Sequence, residues 1–167
     1  MEIAELLTEG FNRIPPLARA AIAGLTPDQL AERPRAEANS VGWLVWHLAR
    51  VQDDHVADAA GLEQIWQHGW AEQLELPYPI GDTGYGHSSA DVDAFGVASG
   101  QLLLDYLDEV QARTLSFVGD LSASELDRVV DEAWDPPVTL GVRLMSVLSD
   151  DLQHAGQAHY VRGLLLA

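Results

Sequence analysis

Residues 40–60, SVGWLVWHLARVQDDHVADAA, predict one long helix over Val41–Ala60. Ser40 is a suitable N-cap, because its hydroxyl can accept a hydrogen bond from a free backbone N–H of the first turn. His47 lies on the apolar face of this helix. Its apolar neighbours on that face are Trp43, Leu44 and Val51. A lone inward histidine is usually a core residue. Whether His47 is instead a metal ligand depends on which residues the rest of the chain places opposite it.

Three further segments carry the three-and-four spacing of apolar residues that is typical of amphipathic helices. These segments are Glu2–Gly24, Ser89–Val118 and Val138 to the C-terminus. We expect Pro15-Pro16 to kink or briefly break the first of them. Two sequences fit the capping box and predict additional short helices. They are Thr26-Pro27-Asp28-Gln29 and Ser122-Ala123-Ser124-Glu125.

No segment has the alternating pattern of a strand, so we expect an all-α fold. Four long amphipathic helices in 167 residues favour a four-helix bundle that forms a single domain over residues 1–167. The connection between the second and third helices, about Gly61 to His87, is longer than bundle loops usually are. We expect it to cross over the bundle, packed by its own aromatic residues, or to cover a binding site, and the two roles are compatible.

The composition excludes several classes of function. There are 26 acidic and nine basic residues, and a net charge of −17 repels phosphate, so we expect neither nucleic acid nor an anionic membrane surface as a partner. The chain has no cysteine, which excludes disulfides and a thiol nucleophile. All nine bases are arginine, which excludes a lysine Schiff base and a Walker-type phosphate loop. Any metal ion would therefore bind to His, Asp, Glu or water.

Targeting signals are also missing. The N-terminal MEIAELLTEG lacks the basic and apolar regions of a signal peptide. No apolar run approaches the roughly 18 residues that a membrane span needs. We therefore expect a cytoplasmic protein. The chain also lacks the Gly-x-Ser-x-Gly pattern that would favour a serine hydrolase.

The last helix contains a second inward histidine, His154, which lies within about 40° of the apolar stripe of that helix. Asp150 precedes it by four residues, a spacing that can chelate an ion. Asp151 is about equally aligned with the stripe, so the choice between the two acids stays open. The pattern predicts one metal ion held by His47, Asp150 and His154, with open coordination positions as in catalytic sites. The two imidazoles should then lie within roughly 8 Å of each other.

The other histidines are weaker candidates. His55 could reach the edge of the site, and Asp54 could orient an imidazole from outside the ligand set. We expect the remaining three histidines to be surface or packing residues. These are His68, His87 and His159.

Two motifs resemble a known family. SVGWLVWHLA (residues 40–49) is similar to the second-helix signature of DinB-like metalloenzymes, in which this histidine is a metal ligand. His154-Ala155-Gly156-Gln157, followed by Arg162-Gly163, resembles the His-x-Gly-Gln motif of their last helix. The likeness covers nearly the whole chain. The family commonly has a third histidine four residues before this motif, where this chain has Asp150.

The resemblance implies a divalent ion, zinc or nickel, and an S-transferase or isomerase that uses a low-molecular-weight thiol such as mycothiol or bacillithiol. Since the chain has no cysteine, the thiol would arrive as a cosubstrate beside a small-molecule substrate. We also expect a homodimer, for which Leu102-Leu103-Leu104 offers an apolar face. The alternative is a non-catalytic bundle that acts as a binding or scaffold protein, which the replacement of the third histidine by Asp150 favours.

Overall fold

The fold, described for residues 1–167 in a computed structural model, is mostly α-helical, as the sequence predicts. None of these helices combines the length and apolarity that crossing a membrane requires. Two short 3₁₀ turns, Ile65–Gln67 and Ala123–Asp127, lie in the connections. The helices are α1 (Ile3–Phe11), α2 (Ile14–Ile22), α3 (Pro27–Ala31), α4 (Val41–Ala60), α5 (Trp70–Leu74), α6 (Ser89–Asp93), α7 (Gly100–Gly119) and α8 (Leu140–Leu165).

The segment expected to form the first long helix, Glu2–Gly24, is broken into α1 and α2. α1 ends at Phe11 and α2 begins at Ile14, so Pro15 and Pro16 occupy the first turn of α2. Proline is tolerated there, because first-turn N–H groups have no partner within the helix. The break therefore falls just before the prolines.

The segment predicted as the third long helix, Ser89–Val118, is also divided. α6 covers only its beginning, and residues 94–99 are not helical. Ser99 then starts α7, and its hydroxyl accepts a hydrogen bond of 3.0 Å from the N–H of Gln101. Phe95, inside the interruption, is still buried in the core. The apolar spacing thus predicted burial correctly and helix continuity wrongly.

The expectation of a chain without strands is wrong. β1 (Val129–Asp131) and β2 (Val138–Thr139) form a small antiparallel hairpin immediately before α8, with Val129 opposite Thr139. Strands of two and three residues are too short to show an alternating pattern, so the periodicity could not reveal them.

The helix starts predicted from the sequence are confirmed. In the first capping box, the Thr26 hydroxyl accepts from the N–H of Gln29, whose side chain in turn accepts from the N–H of Thr26. The second box, at Ser122, is also present, but the turn it opens is 3₁₀ rather than α-helical. Ser40 caps α4 by accepting a hydrogen bond of 3.2 Å from the N–H of Trp43. This cap fixes the start of α4 and thereby places His47 two turns into the helix.

α4 is the central helix, with 16 of its 20 residues buried. It packs along α8 on one side and against α7 on another, while α1 and α2 contact α7, and α2 also contacts α8. Their apolar side chains form one contiguous core. Burial of one such side chain stabilises the fold by about 1.5–3 kcal/mol relative to its exposure. The contact of α4 with α8 determines the site, since each carries one of the two candidate histidines.

Two buried charges of α4 hold the long connection that follows it. Arg50 is fully buried and donates to the carbonyl of Asp82 at 3.1 Å and to the side chain of Gln64 at 2.9 Å. Asp53 accepts hydrogen bonds from two successive backbone N–H groups, those of Ile65 and Trp66. These hydrogen bonds fasten the connection to α4 at its start and near its end. The two charged side chains are also bonded to each other.

Candidate metal centre

His47 is held in one orientation from two sides. Its side chain is 6% exposed, and its ring is stacked on Trp43, with 4.7 Å between ring centroids and 14° between planes. Its Nδ1 lies 2.5 Å from the carbonyl oxygen of Thr83. A carbonyl can only accept, so Nδ1 carries the proton and Nε2 is left with its lone pair. Burial lowers the pKa of His47, and a charge on His154 would lower it further, so the neutral form is favoured.

His154 has the same arrangement on α8. Its Nδ1 lies 2.8 Å from Oε1 of Gln157, which accepts the hydrogen bond, and its Nε2 lies 3.4 Å from Oδ1 of Asp150. Burial lowers the pKa of His154, but the hydrogen bonds to Asp150 and Gln157 outweigh it, and the net shift is upward. A carboxylate so close to Nε2 favours a positive charge between them, either a proton or a metal ion.

The three predicted ligands converge between α4 and α8. The rings of His47 and His154 are 4.7 Å apart at 74°, well inside the distance that one ion can bridge. One donor atom from each of His47, Asp150 and His154 lies within 4.8 Å of the others. Donors bonded at about 2.1 Å can be no more than about 4.2 Å apart, so the three side chains must move closer together to bind one ion.

The chemistry of these donors also fits a divalent cation. Oδ2 of Asp150 is buried and has no hydrogen-bond partner. The rest of the carboxylate is partly exposed, so this one unpaired oxygen is the group that a cation beside it would stabilise. Two imidazoles and one carboxylate are ligands that zinc and nickel accept.

The two adjacent acids of α8 lie in different environments. Asp150 is partly exposed beside His154, whereas Asp151 is completely buried and outside the cluster. Neither carboxyl oxygen of Asp151 has a hydrogen-bond partner. Burial raises the pKa of Asp151 well above its usual range, and the charge of Asp150 raises it further. The neutral form of Asp151 is therefore favoured, and its carboxyl lies outside the cluster.

We expect Asp151→Asn to stabilise the metal-free protein, and more so as the pH rises. In the unfolded chain this carboxyl ionises near pH 4, whereas in the fold it keeps its proton to a much higher pH. The wild-type chain therefore loses stability as the pH rises from about 4 toward the folded pKa, on the order of 1 kcal/mol per pH unit. Urea unfolding of both EDTA-treated proteins at pH 5 and pH 8 measures the difference between their free energies of unfolding. A difference that is the same at both pH values contradicts this account.

An outer layer of contacts supports His47 from the long connection. His87, expected from the sequence to be a packing residue, accepts from Nε1 of Trp43 at 3.1 Å and donates to Asp82 at 2.9 Å. The imidazole of His87 thereby fixes the indole on which His47 is stacked. The connection therefore packs by its own aromatic residues and also covers the candidate site, the two compatible roles expected from its length.

Gly84 allows the connection to approach this closely. Its φ is +90°, and a Cβ at this position would lie 2.8 Å from Nδ1 of His47 and 3.0 Å from the rings of Trp43 and Trp46. Only glycine combines that backbone conformation with so little space. The carbonyl of Thr83 can therefore reach Nδ1 of His47. The glycines of Asp82-Thr83-Gly84-Tyr85-Gly86-His87 were the only signal of this contact in the sequence.

The other candidates lie outside the cluster. Nδ1 of His55 accepts from Arg143 at 2.8 Å, so His55 takes part in an ion-pair network further along α4 and α8. Asp54 accepts from Gln64 at 2.7 Å and lies 3.4 Å from His55, so it does not contact either histidine of the cluster. The backbone carbonyl of Thr83 orients His47 instead. The remaining two histidines are a surface residue and a packing residue, as expected. They are His68, beside Glu63, and His159, bonded to the carbonyl of Leu17.

Comparison with known proteins shows the family and the fold of the chain. The chain matches the family model of the DinB superfamily over residues 11–158. It is also similar to the crystal structure of a conserved protein from Enterococcus faecalis, with 32% sequence identity and a TM-score of 0.92. The alignment covers 99% of this chain and 98% of that one. A search of curated proteins found no match.

Proposed function

Because the chain belongs to the DinB superfamily, we propose that it is a metal-dependent enzyme that binds one divalent ion through His47, Asp150 and His154. The observation that carries the proposal is the convergence of these three donors, two of them imidazoles whose Nδ1 atoms are already bonded elsewhere. That bonding presents Nε2 of both rings to the same point, as in histidine metal sites generally. Zinc and nickel are the ions we propose.

We propose that the reaction is an S-transfer or an isomerisation with a low-molecular-weight thiol, such as mycothiol or bacillithiol, as cosubstrate. When bound, the ion would lower the pKa of that thiol and so supply a thiolate near neutral pH. Three protein ligands leave room for a further donor. The chain's own residues would hold the imidazoles in place, Thr83 through its carbonyl and Gln157 through its amide.

We also infer that the long helical segments form a four-helix bundle in a single domain. α4, α7 and α8 are three of its helices, and α1 with α2 replaces the fourth. The support is the packing of α4 on α7 and α8, with α1 and α2 against α7. Bundles build metal sites from side chains of facing helices, as α4 and α8 would do here.

Metal analysis of protein purified without an affinity tag tests the first part of the proposal. We expect about one zinc or nickel ion per wild-type chain and little in His154→Ala. Iron should be measured too, because two imidazoles and a carboxylate also suit ferrous iron. Metal-loaded wild type should then consume bacillithiol or mycothiol with an electrophile faster than His154→Ala does. An absence of stoichiometric metal would instead favour the non-catalytic scaffold, as would metal binding without turnover.

A homodimer remains a prediction, and its interface must differ from the one that the sequence indicated. Leu103 and Leu104 are 1% and 8% exposed and belong to the core. An apolar row on the outer face of α8 is more accessible. It consists of Val142, Met145, Leu152 and Tyr160. We expect sedimentation to show a dimer at micromolar concentration and Met145→Glu to weaken it, whereas a monomer throughout would remove the prediction.

A further inference from the structure

A large cavity lies beside the candidate ligands, and none of the three ligands lines it. It has a volume of about 840 Å³, within the usual range for small-molecule sites, and lies between the α3–α4 connection and the last turns of α8. Its apolar wall is made by side chains of α4 and α8. They include Leu44, Val161, Leu164 and Leu165. An occupant would therefore need an apolar body.

One polar residue of the cavity wall is an exposed arginine without a hydrogen-bond partner. Eight of the nine arginines of the chain donate hydrogen bonds to other residues, and Arg35 is the exception. Arg35 lines the cavity, and so does Arg33, whose guanidinium is bonded to the carbonyl of Ala38 and to Ser89. The net charge of −17 repels anions from most of the surface, but a free guanidinium on a cavity wall can pair with one locally.

Gln157 connects the cavity wall to the candidate metal centre. The amide of Gln157 lines the cavity, and its Oε1 accepts the hydrogen bond from Nδ1 of His154. Leu44, on the opposite wall, lies one turn before His47 on α4. A molecule in the cavity would therefore touch the residue that orients one ligand and lie one turn from the other.

We propose that this cavity binds a small monocarboxylic acid with an apolar body, and that Arg35 pairs with its carboxylate. One free guanidinium balances one carboxylate, whereas a phosphate dianion would need further cations that the wall lacks, since Arg33 is already bonded and Glu32 is also present. The acid is the substrate class of the metal-dependent reaction, and this identification rests on the function proposed above. Its reacting end would extend past Gln157 toward His154.

The test uses 2-naphthoate as the probe and EDTA-treated, metal-free protein, so that the probe cannot bind through an ion. Ligand-observed NMR titrations would compare wild type with Arg35→Ala and with Arg13→Ala. Arg13 is an exposed arginine paired with Glu9 away from the cavity, and its replacement changes the net charge equally. Arg35→Ala should raise the Kd at least fivefold, Arg13→Ala should leave it within about twofold, and the neutral 2-naphthamide should not respond to Arg35.

Several results would overturn the proposal. These are equal binding by wild type and Arg35→Ala, equal losses in both arginine variants, and naphthoate binding that appears only after zinc is added. Glu32→Gln gives an independent check, since removal of the one acid on the wall should tighten naphthoate binding. Because the comparison of arginine variants uses metal-free protein, Arg35-dependent binding would stand even if metal analysis contradicted the proposed function. A failure here would leave the metal centre untouched.

Discussion

Replacement of Asp150 by leucine should weaken zinc binding at least about tenfold, whereas Asp150→His should keep or strengthen it. In the structure a carboxylate oxygen of Asp150 lies 3.4 Å from Nε2 of His154, and its other oxygen is buried without a partner. Leucine removes a ligand, and losses in or near a ligand shell commonly cost ten- to a hundredfold in affinity. Histidine at this position supplies a third imidazole, the set that DinB-like relatives commonly carry.

The control for this series is the neighbouring acid. Asp151→Asn alters a carboxyl one residue away that is buried outside the cluster, so zinc affinity should stay within about twofold of wild type. Calorimetric titration with Zn²⁺ measures all four proteins. Equal, weak binding by wild type, Asp150→Leu and Asp150→His would contradict the metal centre and leave a non-catalytic helical bundle as the better account.

Gly84→Ala should both destabilise the fold and weaken zinc binding. The substitution places a Cβ 2.8 Å from Nδ1 of His47 and forces alanine into a φ of +90°. The backbone conformation costs about 1–2 kcal/mol, and crowding in a packed core costs roughly 1–3 kcal/mol more. Relief of the crowding must move Thr83 away from His47. The imidazole then loses the carbonyl that fixes its tautomer, and zinc affinity should fall about tenfold or more.

Gly86→Ala is a matched control for this effect. Gly86 has a φ of +76° in the same connection, but a Cβ there meets no atom within 4 Å. We therefore expect Gly86→Ala to lower the free energy of unfolding only by the cost of the backbone conformation, about 1–2 kcal/mol. It should bind zinc as the wild type does. Urea unfolding of the metal-free proteins and calorimetric titration with Zn²⁺ separate the two effects. If both variants lose zinc affinity equally, contact of Thr83 with His47 is not what supports the site.

Local sequence patterns were sufficient to predict most of the helices and the inward orientation of His47 and His154. The apolar spacing of residues 41–60 and of the last helix is the spacing of α4 and α8, and the side chains of His47 and His154 lie where that spacing directs them. Capping sequences fixed helix starts, because a cap depends only on residues three positions apart. The interruption before α7 and the hairpin before α8 escaped prediction, since apolar burial continues through the first and the second is too short to have a period.

The sequence by itself determined an α-helical chain of the DinB superfamily with one inward histidine on each of two long helices. Only the tertiary structure decided which acid joins them. Successive residues on a helix differ by 100°, so Asp150 and Asp151 flank the apolar stripe about equally, and the position of α4 alone turns Asp150 toward the histidines and buries Asp151. The tertiary structure likewise placed Thr83 on His47 across 36 residues, through a backbone carbonyl that every residue carries and no pattern of side chains can indicate.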